Sequence, residues 1–338
     1  MGLAQPAIAW KPVQYRWQAP SARLRAYLPC QYLQNAGFNC EIFDVKNSSK
    51  YQLVIFQKAY TQEDIELANR LKASGTKIVF DLCDNHFYNP DNLPIFAERK
   101  ERLYRILEIA DGVTVSTSEL QKVLTEEGKE SVIIDDVVHQ WWNRNLWESI
   151  AGYTQNLLPK LNQYLRIVWY GSSGLESPPF GMVDLEKLIP ILENLNQQIP
   201  IKLSVISDSK NKFDKYLSHV NFKTQYFNWE LNSFPRIFKK HDICIIPINL
   251  NSFTVCKSNN RLILALLLGV SVIADKIPSY EDLGDFVLFG EWEDSLYTYA
   301  TQPEIRHQKI IQGINYINSK YNQERVINQW SSLIRTFA

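Results

Sequence analysis

Apolar runs of strand length alternate along this chain with stretches whose apolar residues recur every three or four positions. That alternation is the pattern of strands buried in a parallel sheet, each followed by an amphipathic helix. In the first half, strands are predicted over residues 8–10, 40–45, 52–57, 77–82, 112–116 and 131–134. Helices are predicted from Ser21 to the stop at Gly37, then over 62–74, 93–110 and 118–127. In the second half, the strand pattern returns at 165–170, 201–207, 223–227, 243–248 and 270–274, with a last short strand within 286–289. Helical periodicity covers 183–196, 213–219, 233–240, 262–268, 292–300, 304–321 and 324–337. The fold class is therefore α/β, as two β/α domains. Residues 138–161 break the alternation and read as the connection between them. Its three tryptophans, Trp141, Trp142 and Trp147, form either an aromatic platform or packing beneath a linker.

Parallel sheets bind ligands at the carboxyl ends of their strands. In the first half that rule singles out Asp81, Asp84, His86, Thr117, Asp135 and Asp136. Asp81, Asp84 or His86 could take a proton from an attacking hydroxyl; they could equally cap loops on a polar rim. Arg23 and Arg25 fall in a first helical turn, where cations oppose the helix dipole. Either they are solvated or they hold an anion.

In the second half, Gly171-Ser172-Ser173-Gly174 directly follows a strand. Glycines let a backbone approach a ligand, and successive N–H groups can cradle phosphate, although such a turn also simply reverses a chain. The stretch 242–282 reads as strand, polar loop, helix, turn and strand. Lys257, Ser258, Asn259, Asn260 and Arg261 stand where its helix begins. Free N–H groups beside two cations and a hydroxyl predict an anion site there, with diphosphate as the anion.

Composition narrows the function. The 338 residues are 45 % apolar and 21 % charged with a formal net charge of zero, which speaks for a soluble globular chain and against a nucleic-acid partner. Five scattered cysteines, Cys30, Cys40, Cys83, Cys244 and Cys256, have no metal spacing and suggest reduced thiols in a cytoplasmic protein. No secretory leader and no membrane span is read; peripheral contact with the inner face of the membrane stays open. Neither HxxxH, HExxH nor an Asp-x-Asp pair is present, so no metal is expected.

The order of motifs resembles the GT-B glycosyltransferases, and within them the family 4-like group. SARLRAYLPCQYLQNAG, KIVFDLCDN and ADGVTVSTSEL resemble that group's acceptor domain. IVWYGSSG, HDICIIPI and KSNNRLILALLLGVSVIADKIPSYED resemble its nucleotide-sugar domain, and NQERVINQWSSLI its closing helix. The resemblance implies two Rossmann-like domains facing across a cleft: an acceptor domain at 1–158, joined by a returning helix within 318–338, and a donor domain at 159–317. It implies transfer of a hexose-like sugar from a UDP or GDP donor to a glycan or lipid-linked hydroxyl, as in polysaccharide biosynthesis. It implies no metal and no cofactor beyond the nucleotide sugar itself.

On this resemblance the donor lies on Gly171, Ser172, Ser173, Gly174, Lys257, Ser258, Asn259, Asn260 and Arg261, with Trp229 either against the base or in the core. Lys257 and Arg261 would neutralise the leaving diphosphate. Arg23, Arg25, Asp81 and Asp84 would face the acceptor, with Asp84 and His86 catalytic. Many group members carry two glutamates eight residues apart on the loop and helix. The matching positions here are near Cys256 and Leu264, and neither is acidic. Donor sugar and stereochemistry are thereby left open. The alternatives are a catalytically silent nucleotide-binding protein and a nucleotide-sugar epimerase.

Overall fold

The computed structural model describes residues 7–141 and 164–337. They divide into two compact units. The first holds the described residues of Met1–His139, Val255–Ser258 and Lys320–Ala338; the second holds those of Gln140–Thr254 and Asn259–Ser319. Trp142, Trp147 and most of the predicted connection, including the boundary at 158, lie outside the described residues.

The first unit runs β1 (Ile8–Pro12), α1 (Pro20–Ala22), a π-helical turn (Arg23–Tyr27), α2 (Leu28–Asn35), β2 (Cys40–Ile42) and β3 (Leu53–Gln57). It continues through α3 (Gln62–Ala73), β4 (Lys77–Leu82), α4 (Pro94–Ile109), β5 (Gly112–Val115), α5 (Ser118–Glu126) and β6 (Val132–Ile133). The strands form one parallel sheet in the order β2-β1-β3-β4-β5-β6. Side chains on β3 alternate faces. Val54 and Phe56 enter a core with Phe80, Leu103 and Leu120. Leu53 and Ile55 enter the opposite one with Leu28, Leu33 and Trp330. The C-terminal helix (Gln323–Arg335) covers that second face, where Trp330 meets Trp10 edge-on with ring centres 5.5 Å apart.

Helix formation starts at Pro20 rather than Ser21. Proline's fixed φ suits a first helical position, where its missing N–H costs nothing. The π-turn that follows is the kind of local irregularity that re-aims side chains, and it carries Arg23 and Arg25 inward.

The second unit runs β7 (Leu165–Tyr170), β8 (Gly174–Glu176), β9 (Pro179–Gly181), a 3-10 turn (Met182–Leu188), α6 (Ile189–Gln198), β10 (Ile201–Ser207) and α7 (Lys210–Leu217). Then come β11 (Lys223–Asn228), α8 (Phe234–Phe238), β12 (Ile243–Ile246), α9 (Asn260–Leu267), β13 (Ser271–Ala274), β14 (Leu288–Phe289), α10 (Trp292–Thr301) and α11 (Pro303–Lys320). Its parallel sheet has the order β11-β10-β7-β12-β13-β14, with β8 and β9 as a separate antiparallel hairpin. Without that hairpin the order is that of a dinucleotide-binding sheet, and it reverses between β7 and β12.

Two expectations are corrected, and the segment after Gly174 pairs as a hairpin. The helix expected at 183 is 3-10 until Ile189, because Pro190 cannot donate into a continuous α-helical ladder. The helix expected near Lys257 starts only at Asn260. The residues before it belong to the first unit, where Cys256 is 1 % exposed in the core and its carbonyl accepts from Thr117 Oγ1 at 3.0 Å. Trp141 is packing: its Nε1 donates to Leu231 O at 2.9 Å and its ring lies against Phe234.

Candidate functional site

In the second unit the candidate residues gather at the end of β7, beside the point where strand order reverses. Arg261 sits in the first turn of α9. Its Nη2 donates to Tyr170 O at 2.5 Å, and its guanidinium carbon lies 5.4 Å from the ring centres of both Trp169 and Tyr170. Tyr170 returns a hydrogen bond to Arg261 O at 2.6 Å, clamping strand end to helix start. Burial pushes the Tyr170 hydroxyl well above its ordinary pKa, so it stays a donor. Arg261 Nε is buried without a hydrogen-bond partner, and among the described residues no carboxylate pairs with this guanidinium. Asp184 influences it only through space. That carboxylate accepts from Gly181 N (2.9 Å) and from Asn249 Nδ2 (2.6 Å), and burial raises its pKa. An uncompensated guanidinium at a strand-order reversal is a site for an anion.

The glycine turn does something other than expected. Ser173 N donates to Asp208 at 2.7 Å, Gly174 N to Ser172 Oγ at 3.2 Å, and Gly171 N to Ile206 O at 3.2 Å. These amides are engaged within the protein. Asp208 is favoured as a carboxylate: burial opposes it, but hydrogen bonds led by the Ser173 amide lower its pKa. Gly174 has φ +70°, and a Cβ there would lie 1.8 Å from Phe180 O; a Cβ on Gly181 would lie 2.7 Å from Ser172 O. Both glycines serve the closeness of the hairpin strands. Arg261 is thus the cation of this edge whose Nε has no hydrogen-bond partner, and Ser172 is exposed. Trp229 is half-buried just beyond β11, its N–H on Ser207 O at 2.8 Å. Asn259 stands at the N-cap of α9, and Asn260 opens the helix.

In the first unit a second cluster follows β3 and β4. Asp84 accepts from Lys58 on Oδ2 and from Lys257 on Oδ1. Burial alone would raise its pKa; Lys257 and then Lys58 outweigh that and hold it well below the carboxylate range. Lys58 is positioned by a left-handed backbone (φ 51°) and by its N–H on Asp81 O at 2.9 Å. His86 Nδ1 meets Tyr60 Oη at 2.5 Å, and its Nε2 lies 4.0 Å from Asp84. Burial, then Lys58, push the imidazole well below its ordinary pKa, so it is neutral at neutral pH.

These contacts correct several candidate roles. Asp84 is clamped by two ammonium groups and is a poor base. Lys257 lies on Asp84 and is grouped with Ser258 in the first unit, whereas Arg261 belongs to the second. Arg25 and Asp81 are 2 % and 0 % exposed and cannot face an acceptor. Asp81 accepts from Arg25 Nη2 at 2.5 Å, from Arg25 Nε at 2.9 Å and from Thr114 Oγ1 at 2.7 Å. Arg25 Nη1 reaches Ile134 O at 2.7 Å and Asp136 at 2.8 Å. Burial works against the Arg25 charge; Asp81, then Asp136, outweigh it and raise its pKa. Arg23 is also buried, donating to Trp17 O and Gln18 O. Asp135 binds Arg325 and Gln329 of the C-terminal helix. Lys58, Tyr60, Tyr170 and Asp208 escaped the sequence reading. Each lies at or just past a strand end, which was the available signal.

No family model and no curated protein matches the chain. Solved structures do. A glycosyltransferase from Rickettsia africae aligns over 99 % of both chains at 12 % identity with a TM-score of 0.66. WaaG, a glycosyltransferase involved in lipopolysaccharide biosynthesis, aligns over 97 % of this chain and 99 % of its own at 10 % identity, TM-score 0.65. An α-glucosyltransferase in complex with UDP-glucose and DNA containing an abasic site aligns over 98 % and 99 % at 9 % identity, TM-score 0.63. The fold is that of the GT-B glycosyltransferases, with two Rossmann-like parallel sheets.

Proposed function

We propose that this chain is a glycosyltransferase that moves a sugar from a nucleotide diphosphate-sugar to a hydroxyl of a glycan or lipid-linked acceptor. The observation that carries this reading is Arg261, a guanidinium with no carboxylate partner among the described residues, held at the strand-order reversal of the second unit. Negative charge grows on the diphosphate as the glycosidic bond to it breaks. A guanidinium already fixed by Tyr170 O and two aromatic faces stabilises that charge without reorganising. Among the described residues no group of three or more His, Cys, Asp or Glu is placed to hold a metal ion. Charge neutralisation is assigned to Arg261 because it is fixed and has no carboxylate partner, and on this reading transfer should persist in EDTA.

On the first unit, His86 is the group suited to take the acceptor proton. In the tautomer whose Nδ1–H donates to Tyr60 Oη, Nε2 is the basic nitrogen. The imidazolium formed faces Asp84, whose ion pairs with Lys58 and Lys257 keep it a carboxylate. Asp84 is then a positioning residue.

Calorimetry with UDP and GDP tests the donor assignment. One of them should bind the wild type, Arg261→Ala should weaken it at least tenfold, and Arg261→Lys should restore only part. Binding of neither nucleotide, or undiminished binding by Arg261→Ala, would sink the proposal. His86→Ala should cut turnover about 100-fold while nucleotide affinity stays unchanged.

A further inference from the structure

The first unit contains a groove of about 520 Å³ at the carboxyl ends of β1 and β2, beside α3. Its volume lies within the roughly 300–1,000 Å³ of small-molecule clefts. Tyr15 and Val45 form its rim, 50 % and 66 % exposed, and the buried Phe43 lines it between them. Tyr15 is oriented by its hydroxyl on Phe43 O at 3.3 Å and by the Lys11 ammonium 5.6 Å from its ring centre. Lys11 in turn pairs with the buried Asp64 at 2.5 Å.

The lining chemistry selects the ligand. Three carboxylates, Asp44, Glu63 and Asp64, oppose two cations, Lys11 and Arg70, so a phosphate or diphosphate is repelled. Charged walls disfavour an acyl chain. A neutral polyhydroxylated ring suits both features: its C–H face lies on an aromatic ring, and its hydroxyls donate to carboxylates and accept from the cations. The groove opens at β1, two strand spacings from β4, which leads to Asp84 and His86. That is about 10 Å, the span of a few linked sugar rings rather than of one.

We propose that this groove binds a neutral oligosaccharide, holding the sugar residues of the acceptor that lie beyond the one receiving the transferred sugar. The assignment rests on the transferase reading for the word acceptor; the glycan site itself does not.

The test is a panel of immobilised neutral and acidic oligosaccharides probed with the full chain, followed by calorimetry on the best glycan in solution. Wild type should retain neutral oligosaccharides of three or more residues and not the corresponding monosaccharides. Tyr15→Ala should weaken that binding at least tenfold and Arg70→Gln several-fold, with unchanged circular dichroism because both side chains are at the surface. Arg261→Ala should bind the glycan as wild type does. Retention of no glycan, preference for acidic ones, or binding within twofold of wild type in both groove variants would overturn the inference. If UDP or GDP binds through Arg261 while no glycan responds to Tyr15→Ala, the groove assignment fails and the transferase reading stands. If the glycan responds and no nucleotide binds, the groove stands and the transferase reading fails.

Discussion

Arg25 and Asp81 show how burial changes what a charged residue can do. A guanidinium and a carboxylate taken out of water are tolerable only as a fully hydrogen-bonded pair, and each becomes costly if the other is removed. Arg25→Leu is expected to destabilise the protein by about 3–5 kcal/mol, read as a shift of the urea midpoint. The double variant Arg25→Leu/Asp81→Leu should recover much of that loss, which a role in acceptor binding would not produce. Histidines give a pH signature at the same scale. Burial pushes His241 down to about 4, from an unfolded value near 6.5. Between those values the unfolded chain holds a proton that the native one lacks, so stability falls as pH drops from about 6.5 to 4. The loss from His241 is at most about 3 kcal/mol, and His86 shifts in the same direction. Asp84 acts lower: its stabilisation is present above the ordinary carboxylate pKa and is lost as pH falls below it. Urea unfolding at pH 7.5 and pH 5 checks this, with His241→Gln flattening the difference.

At the scale of elements, the β8–β9 hairpin shows why a glycine-rich turn is an ambiguous signal. Gly174 and Gly181 are required because each approaches the opposing backbone too closely for a Cβ, at positive φ. Gly174→Ala should therefore destabilise by about 1–3 kcal/mol and disturb Ser172 and Ser173, seen as a lower melting temperature together with weaker nucleotide binding. The reading of this turn as a phosphate cradle came from its place after a strand, and the strand does end at Tyr170. The amide partners, Asp208 and Ile206, lie 35 positions away in both pairings (173 with 208, 171 with 206), and no local pattern announces them. Long strands were legible nearly to the residue, as at Lys77–Leu82 and Leu165–Tyr170. Helix starts were less so, because Pro20, Pro190 and the departure of residues 255–258 into the other unit all override periodicity.

At the scale of the molecule, the C-terminal helix completes the first unit's core. Trp330 is 1 % exposed, and Leu333 and Ile334 are buried with it against the face that carries Trp10 and Leu28. Trp330→Ala is expected to cost about 3–5 kcal/mol, lowering the calorimetric transition in which the first unit melts. No helix among the described residues is long and apolar enough to cross a membrane.

By itself the sequence determined the α/β class, the succession of strands and helices, and the sheet edges where chemistry would gather. Each of these follows from spacing among near neighbours. Only the tertiary structure decided which charges are consumed in pairing and which remain for a ligand. Arg25 meets Asp81 across 56 positions and Asp136 across 111, and Lys257 meets Asp84 across 173. Whether a charge is neutralised depends on the few ångströms around it, and those neighbours are brought there by folding rather than by sequence proximity.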